Sequence, residues 1–212
     1  MLKKIVIVFS LLFATGASAA PDRYVFDKDH THIFFYVSHL GYSQMWGRIK
    51  EYDGYFTFDE KEPEKSEVDV TLKPQSVDTD VPALNKELLG EKFFNVAKFQ
   101  TIHFKSEKII NIGPAGIAGN PNALPPPHGD VIGDLTMLGV TKPFVLHVIY
   151  NKSGIHPYTN NYIAGFTADG VMKRSDFGMN AYLPDVGDEV HIHIEAEGID
   201  PLKHPGNSKT PH

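Results

Sequence analysis

Cysteine is absent from this chain. That rules out disulfide staples, a lipidated N-terminal cysteine and a thiol nucleophile, so stability must come from the core. Beyond the first residues there is no apolar run of the roughly 20 residues that a helix needs to span a bilayer, which argues against stable membrane insertion. Basic clusters are missing too, with 20 Lys and Arg against 26 Asp and Glu. An acidic chain of this kind is a poor partner for nucleic acid or for an anionic membrane surface. There is no Gly-x-Ser-x-Gly elbow and no phosphate-cradling glycine loop. The glycines of "GDLTMLGVTKP" from Gly133 onward are spaced for turns.

What is present begins with a leader. Met1-Leu2-Lys3-Lys4 is a short basic start, Ile5 to Phe13 is apolar, and Ala17-Ser18-Ala19 has the small-x-small form of a cleavage site. Residues 1–19 therefore read as a secretory signal peptide. Its apolar run is too short for a membrane anchor. The mature chain then starts at Ala20 or Pro21 and carries a net charge of about −8 once Lys3 and Lys4 are gone. Its length suits one domain, over residues 20–200, that buries about 70% of its unfolded surface. The polar, proline-rich residues 201–212 read as a flexible tail.

The dominant hydrophobic period is two. Ile33, Phe35 and Val37 alternate with Phe34 and Tyr36. The same alternation holds for Val68, Val70 and Leu72, for Ile102 and Phe104, and for Phe144, Leu146, Val148 and Tyr150. In Val190, Ile192, Ile194 and Ala196 it recurs against His191, His193, Glu195 and Glu197. Such runs, parted by Gly, Asp and Pro, are strands with one buried face. One segment differs: Val81 to Phe94 has Leu84, Leu88 and Leu89 at helical spacing, with Pro82 near its start and Gly90 near its end, and predicts one or two helical turns. Gly113 to Gly129 is dense in Gly, Pro and Asn and reads as a long loop. About eight strands and a short helical segment give an all-β antiparallel barrel or sandwich. A barrel of this size is either filled by side chains or holds one slender ligand, and periodicity does not separate the two.

Two H-x-H segments invite a metal reading. His30 and His32 share a strand face, as do His191 and His193. If the first and last strands pair on closure, the four face each other. Against this, Glu195 and Glu197 on the same parity mark a solvated outer face. Asp27, three residues before His30, can accept from its imidazole and fix the tautomer. His39 has the inward parity of Ile33, Phe35 and Val37 and sits at the strand end, where an imidazole can meet a polar ligand group. In "RSDFGM", Arg174 and Asp176 share a parity suited to an ion pair, and Arg174 also suits a phosphate head group.

Five blocks in order resemble one family, the YceI-like proteins: Asp27 to Lys61, Ser76 to Asp80, Lys92 to Ser106, Gly133 to Leu146 and Lys173 to Met179. The pieces "HLGYS" and "DGYFTFDEK" are most similar to periplasmic members from Gram-negative bacteria. Asn95, where the family usually has Asp, and Gln100, where it usually has Pro, depart from the pattern. The resemblance implies a lipocalin-like barrel in the periplasm with a long apolar cavity. It implies a polyisoprenoid ligand, of quinone or polyprenyl phosphate type, or a similar amphiphilic lipid. It implies no enzyme activity and no cofactor beyond the bound lipid, and a homodimer is compatible with it.

On this reading the ligand-binding residues are Ile33, Phe35, Val37, His39, Phe56, Phe58, Val68, Val70, Leu72, Phe93, Phe94, Ile102, Phe104, Leu135, Phe144, Leu146, Phe166, Arg174, Phe177 and Met179. Two other readings stay open: a metal-binding protein or metal-dependent enzyme using His30, His32, His191 and His193, and a ligand-free, stress-related interaction protein.

Overall fold

The computed structural model describes residues 20–113 and 127–203. The expected signal peptide, most of the proline-rich loop and most of the expected tail lie outside the described residues.

The strands are β1 (Asp22–Phe26), β2 (His32–His39), β3 (Ser43–Ile49), β4 (Tyr52–Phe58), β5 (Glu67–Leu72), β6 (Val77–Asp78), β7 (Ile102–Gly113), β8 (His128–Met137), β9 (Val140–Ile155), β10 (Tyr162–Lys173) and β11 (Val186–Asp200), with one helix, α1 (Pro82–Leu88). The order β1-β4-β5-β7-β8-β9-β10-β11 closes on itself through the β1–β11 pair, giving an eight-stranded antiparallel barrel. Closure removes the exposed edges that an open sheet of this size would carry. The expected barrel with its short helix is therefore the fold the chain adopts. The remaining three strands branch from it. β2 pairs with β11 over Glu195 to Val186, β3 pairs with β2, and β6 adds two residues to the end of β3. They extend the wall at one end of the barrel only.

Local chemistry explains the joints. Pro82 takes the first turn of α1, where a missing N–H costs nothing. Between β2 and β3 the Tyr42 N–H donates to the His39 carbonyl, with Leu40 (φ 53°) and Gly41 (φ 73°) both left-handed. This is the tight turn whose twist matches a hairpin. Asn95 adopts φ 44°, a conformation Asn tolerates better than most residues.

The inward residues form two clusters. The larger is built on Phe104, Leu135, Met137, Phe144 and Leu146. The smaller consists of Tyr24, Phe56, Phe58 and Ala164, with Phe26, Tyr150, Tyr162 and Phe166 packed against it. In the smaller cluster Tyr24 stacks on Phe56 at 5.0 Å, and Phe166 meets Phe56 and Phe58 edge-on at 5.3 and 5.0 Å. These rings fill the end of the barrel where β1, the start of β10 and the end of β11 meet. Space for them comes from Gly198, where a Cβ would lie 2.4 Å from the Phe56 ring. Burial pushes the Tyr24 hydroxyl well above its ordinary pKa, and burial together with Glu60 pushes Tyr150 up to about 12.

Candidate ligand-binding cavity

The other end is not filled. A cavity of about 520 Å³ runs from the aromatic plug toward the β2–β3 hairpin, within the range of small-ligand sites. Its wall along β2, from Ile33 to His39, is about 20 Å long at roughly 3.3 Å per residue. Fifteen of the residues read from the sequence line it. Ile33, Phe35, Val37 and His39 come from β2, and Val70 and Leu72 from β5. Ile102, Phe104, Leu135, Phe144 and Leu146 come from β7, β8 and β9. Phe93, Phe94, Arg174 and Met179 lie on the connecting segments. Gly47 lets the Phe35 ring lie against the β3 backbone, since a Cβ there would meet it at 2.4 Å.

Five expected lining residues are elsewhere. Phe56, Phe58 and Phe166 belong to the plug, Val68 packs between the two clusters, and Phe177 is buried in the larger cluster without bordering the cavity. Parity identifies an inward residue but not its depth along the barrel axis, and inward rings at the far end pack on one another.

Arg174 needs a second correction. Residues 174–177 form a 3-10 turn, so strand parity does not apply and no Arg174–Asp176 pair forms. The side chain is 2% exposed. Its Nε donates to the Gly187 carbonyl, Nη1 to Met179 and Nη2 to Val186, each at 2.8 Å. The β11 register on β2 breaks between Val186 and Val190, and the guanidinium satisfies carbonyls at that break. With three of its five N–H donors directed at backbone carbonyls, Arg174 frames the cavity wall as a structural residue, in place of the free head-group ligand expected of it. Desolvation by burial pulls its pKa below the ordinary value.

The mouth is where polarity appears. His39, Thr79, Glu87, Tyr182 and Asp185 border it. The Tyr182 hydroxyl donates to Glu87 Oε1 at 2.7 Å, tying α1 to the 178–186 loop, and this bond raises the Tyr182 pKa. His39 is half-buried, and its ring makes no hydrogen bond among the described residues. Asp78, on β6, accepts from the Asp80 N–H and from Arg48, Lys50 and Asn85. These donors, the backbone N–H first, hold its carboxyl well below the usual range. Sequence reasoning missed the contribution of β3, whose "SQMWGRI" alternates poorly yet supplies Met45, Trp46 and Ile49. It also left Val190, Ile192 and Ile194 off the lining, although their alternation was visible.

The four histidines of the metal reading are not brought together. The register sets His32 opposite Glu195, Phe34 opposite His193 and Tyr36 opposite His191. His191 stacks on Tyr36 at 4.6 Å. His193 contacts Asp169 at 2.7 Å and Glu195 at 3.2 Å. His30 Nδ1 lies 2.9 Å from Asp27 Oδ2, the pairing expected from their spacing, and Glu197 approaches both, with ligand atoms within 4.8 Å of one another. Hydrogen bonding to Asp27 raises the His30 pKa, and hydrogen bonding to Asp169 raises that of His193. The Asp27–His30 pair is an exposed hydrogen-bonded pair on the outside of the barrel.

Fold and site together define a class: an antiparallel barrel plugged at one end by aromatic rings, with a deep apolar cavity open at the other. The YceI-like domain model matches residues 24–198. A protein YceI from Salmonella enteritidis is 38% identical over 192 residues, covering 90% of this chain and 93% of the relative. The chain belongs to the YceI-like family. Among solved structures, the Campylobacter jejuni YCEI protein superposes with a TM-score of 0.63 at 27% identity, covering 76% of this chain and 88% of its own. A polyisoprenoid binding domain from Saccharophagus degradans has a TM-score of 0.57 at 12% identity, covering 85% and 99%, which is a likeness of fold.

Proposed function

We propose that this is a periplasmic binding or carrier protein, and not an enzyme, that sequesters one long-chain polyisoprenoid of quinone or polyprenyl phosphate type, or a similar amphiphilic lipid. The observation that carries the reading is the single-ended apolar cavity, with its polar groups confined to the mouth. The tail enters first and stops at the Phe56–Phe58–Phe166 plug, and the head group stays beside His39, whose imidazole is placed to hydrogen-bond a carbonyl or phosphate oxygen. The wall of about 20 Å compares with the roughly 15 Å of hydrocarbon in one bilayer leaflet. Each buried CH₂ contributes about 0.8 kcal/mol, so a chain of several isoprene units binds tightly even after losing conformational freedom. The fold likeness to a polyisoprenoid binding domain and the N-terminal leader support the same reading.

The test is native mass spectrometry of the protein purified from periplasm, untagged and without chelator, followed by organic extraction. A bound quinone or polyprenyl species is expected. Phe35→Glu or Leu146→Glu should lose it, whereas Lys73→Glu, on an exposed side chain paired with Glu51, should keep it. Equal retention in all three, or one bound metal ion with no extractable lipid, would overturn the proposal.

A further inference from the structure

We propose that the rim of the cavity is a docking surface for the zwitterionic phospholipid bilayer from which the ligand is drawn, an inference that rests on the cavity holding a lipid tail. Leu40, Trp46 and Tyr182 border the cavity and are at the same time 51%, 52% and 51% exposed. Tyr42, beside them on the hairpin tip, is 90% exposed. Apolar side chains therefore stand exposed among the polar groups of the mouth, next to the apolar interior.

The side chains are held there against local preference. Leu40 (φ 53°) and Tyr182 (φ 58°) occupy left-handed backbone, which Asn or Gly would adopt at lower cost. Trp and Tyr have the amphipathic form of residues that settle at the level of lipid head groups. The chemistry of the cargo selects the occupant. A tail leaving the cavity through water would expose its whole apolar length, whereas a rim seated in the head-group layer passes it directly into hydrocarbon. A protein or a second copy on the rim would stopper the mouth. Charge selects the kind of bilayer, because a mature chain of net charge about −8, with Glu87 and Asp185 at the mouth outnumbering Lys92 beside the Tyr182 ring, is repelled by anionic lipid. Among the described residues no helix is long and apolar enough to cross a membrane, and the contact proposed is peripheral, limited to the β2–β3 hairpin, Trp46 of β3 included, and the 178–186 loop.

Trp46 is the chain's one tryptophan and packs against Tyr36 at 4.5 Å, so its fluorescence reports on the β2–β3 wall beside the mouth. The experiment floats the full-length mature protein with phosphatidylcholine vesicles carrying brominated acyl chains and reads Trp46 quenching in the floated fraction. The comparison is a Leu40→Asn, Tyr42→Ser double variant, which suits the left-handed turn and should fold. Tyr158→Ser serves as a control, since Tyr158 is 90% exposed on the β9–β10 connection at the plugged end. Wild type and the control should float with Trp46 quenched, and the double variant should partition about tenfold less. Wild type failing to float, quenching without flotation, equal flotation of the double variant, or a rim-dependent dimer in place of vesicle binding would each overturn the proposal. Uptake of a polyprenyl alcohol from detergent micelles, measured in parallel, separates the two ideas. Uptake without flotation sinks docking and leaves the carrier reading standing, and flotation without uptake does the reverse.

Discussion

Replacing Arg174 with methionine keeps much of the side-chain volume and removes every donor. Three carbonyls then lose their partner: those of Met179, Val186 and Gly187, each now bonded at 2.8 Å. The Met179 contact is fully buried, and the other two are partly so. A buried carbonyl stripped of its donor costs about 1–3 kcal/mol. The two partly buried carbonyls recover some of that from water, and the variant no longer desolvates a guanidinium. The net expectation is a loss of about 3 kcal/mol, a large share of the roughly 5–15 kcal/mol available to a domain. Arg174→Lys should lose about 2 kcal/mol, because one ammonium does not satisfy three carbonyls arranged around a planar fork. Urea unfolding followed by Trp46 fluorescence measures both, with the midpoint moving and the slope unchanged. If Arg174→Met costs less than about 1 kcal/mol and loses extractable lipid, the residue acts on the head group and the structural role assigned to it is wrong.

Two other perturbations test the same framework. Asp78 has a folded-state pKa below its unfolded value near 3.8, so it contributes stability that is present above that pH and is lost as the pH falls through the folded-state value. Acidification below 3.8 should therefore loosen β6 and α1 at the mouth; Asp78→Asn should be less stable at neutral pH and lose less on acidification, and parallel urea midpoints for the two proteins would contradict this. Gly198→Val places a side chain where a Cβ already lies 2.4 Å from Phe56 and 2.9 Å from the Tyr24 Cβ. It should cost about 1–3 kcal/mol by overpacking and weaken the near-ultraviolet dichroism of the plug, whereas an unchanged spectrum and stability would show that the plug is loosely packed.

Much of the barrel wall is legible from parity alone. Alternation identified Ile33, Phe35, Val37, Val70, Leu72, Ile102, Phe104 and Leu146 as inward, because a pleated strand turns successive side chains to opposite faces whatever its partners. The short helix was legible from Pro82 and the leucine spacing, and the Asp27–His30 pair from its three-residue separation. What the sequence could not determine is whatever depends on how strands slide and stack. The β2–β11 register, set by long-range closure, brings His32 to Glu195 and divides the four histidines. Axial depth consigns Phe56, Phe58 and Phe166 to the plug and leaves Phe104 and Phe144 on the cavity wall, although all five have the same inward signature. Strand pairing likewise brings the weakly patterned β3 to the mouth and places Trp46 there. Arg174 read as an ion-pair partner or head-group ligand because its three carbonyl partners lie 5 to 13 residues away, two of them brought to it by the break in β11. Local pattern thus determined which face of each strand is apolar. Whether those faces meet to make a plug or part to make a cavity was decided by tertiary structure, since that depends on the distance between elements remote in the chain.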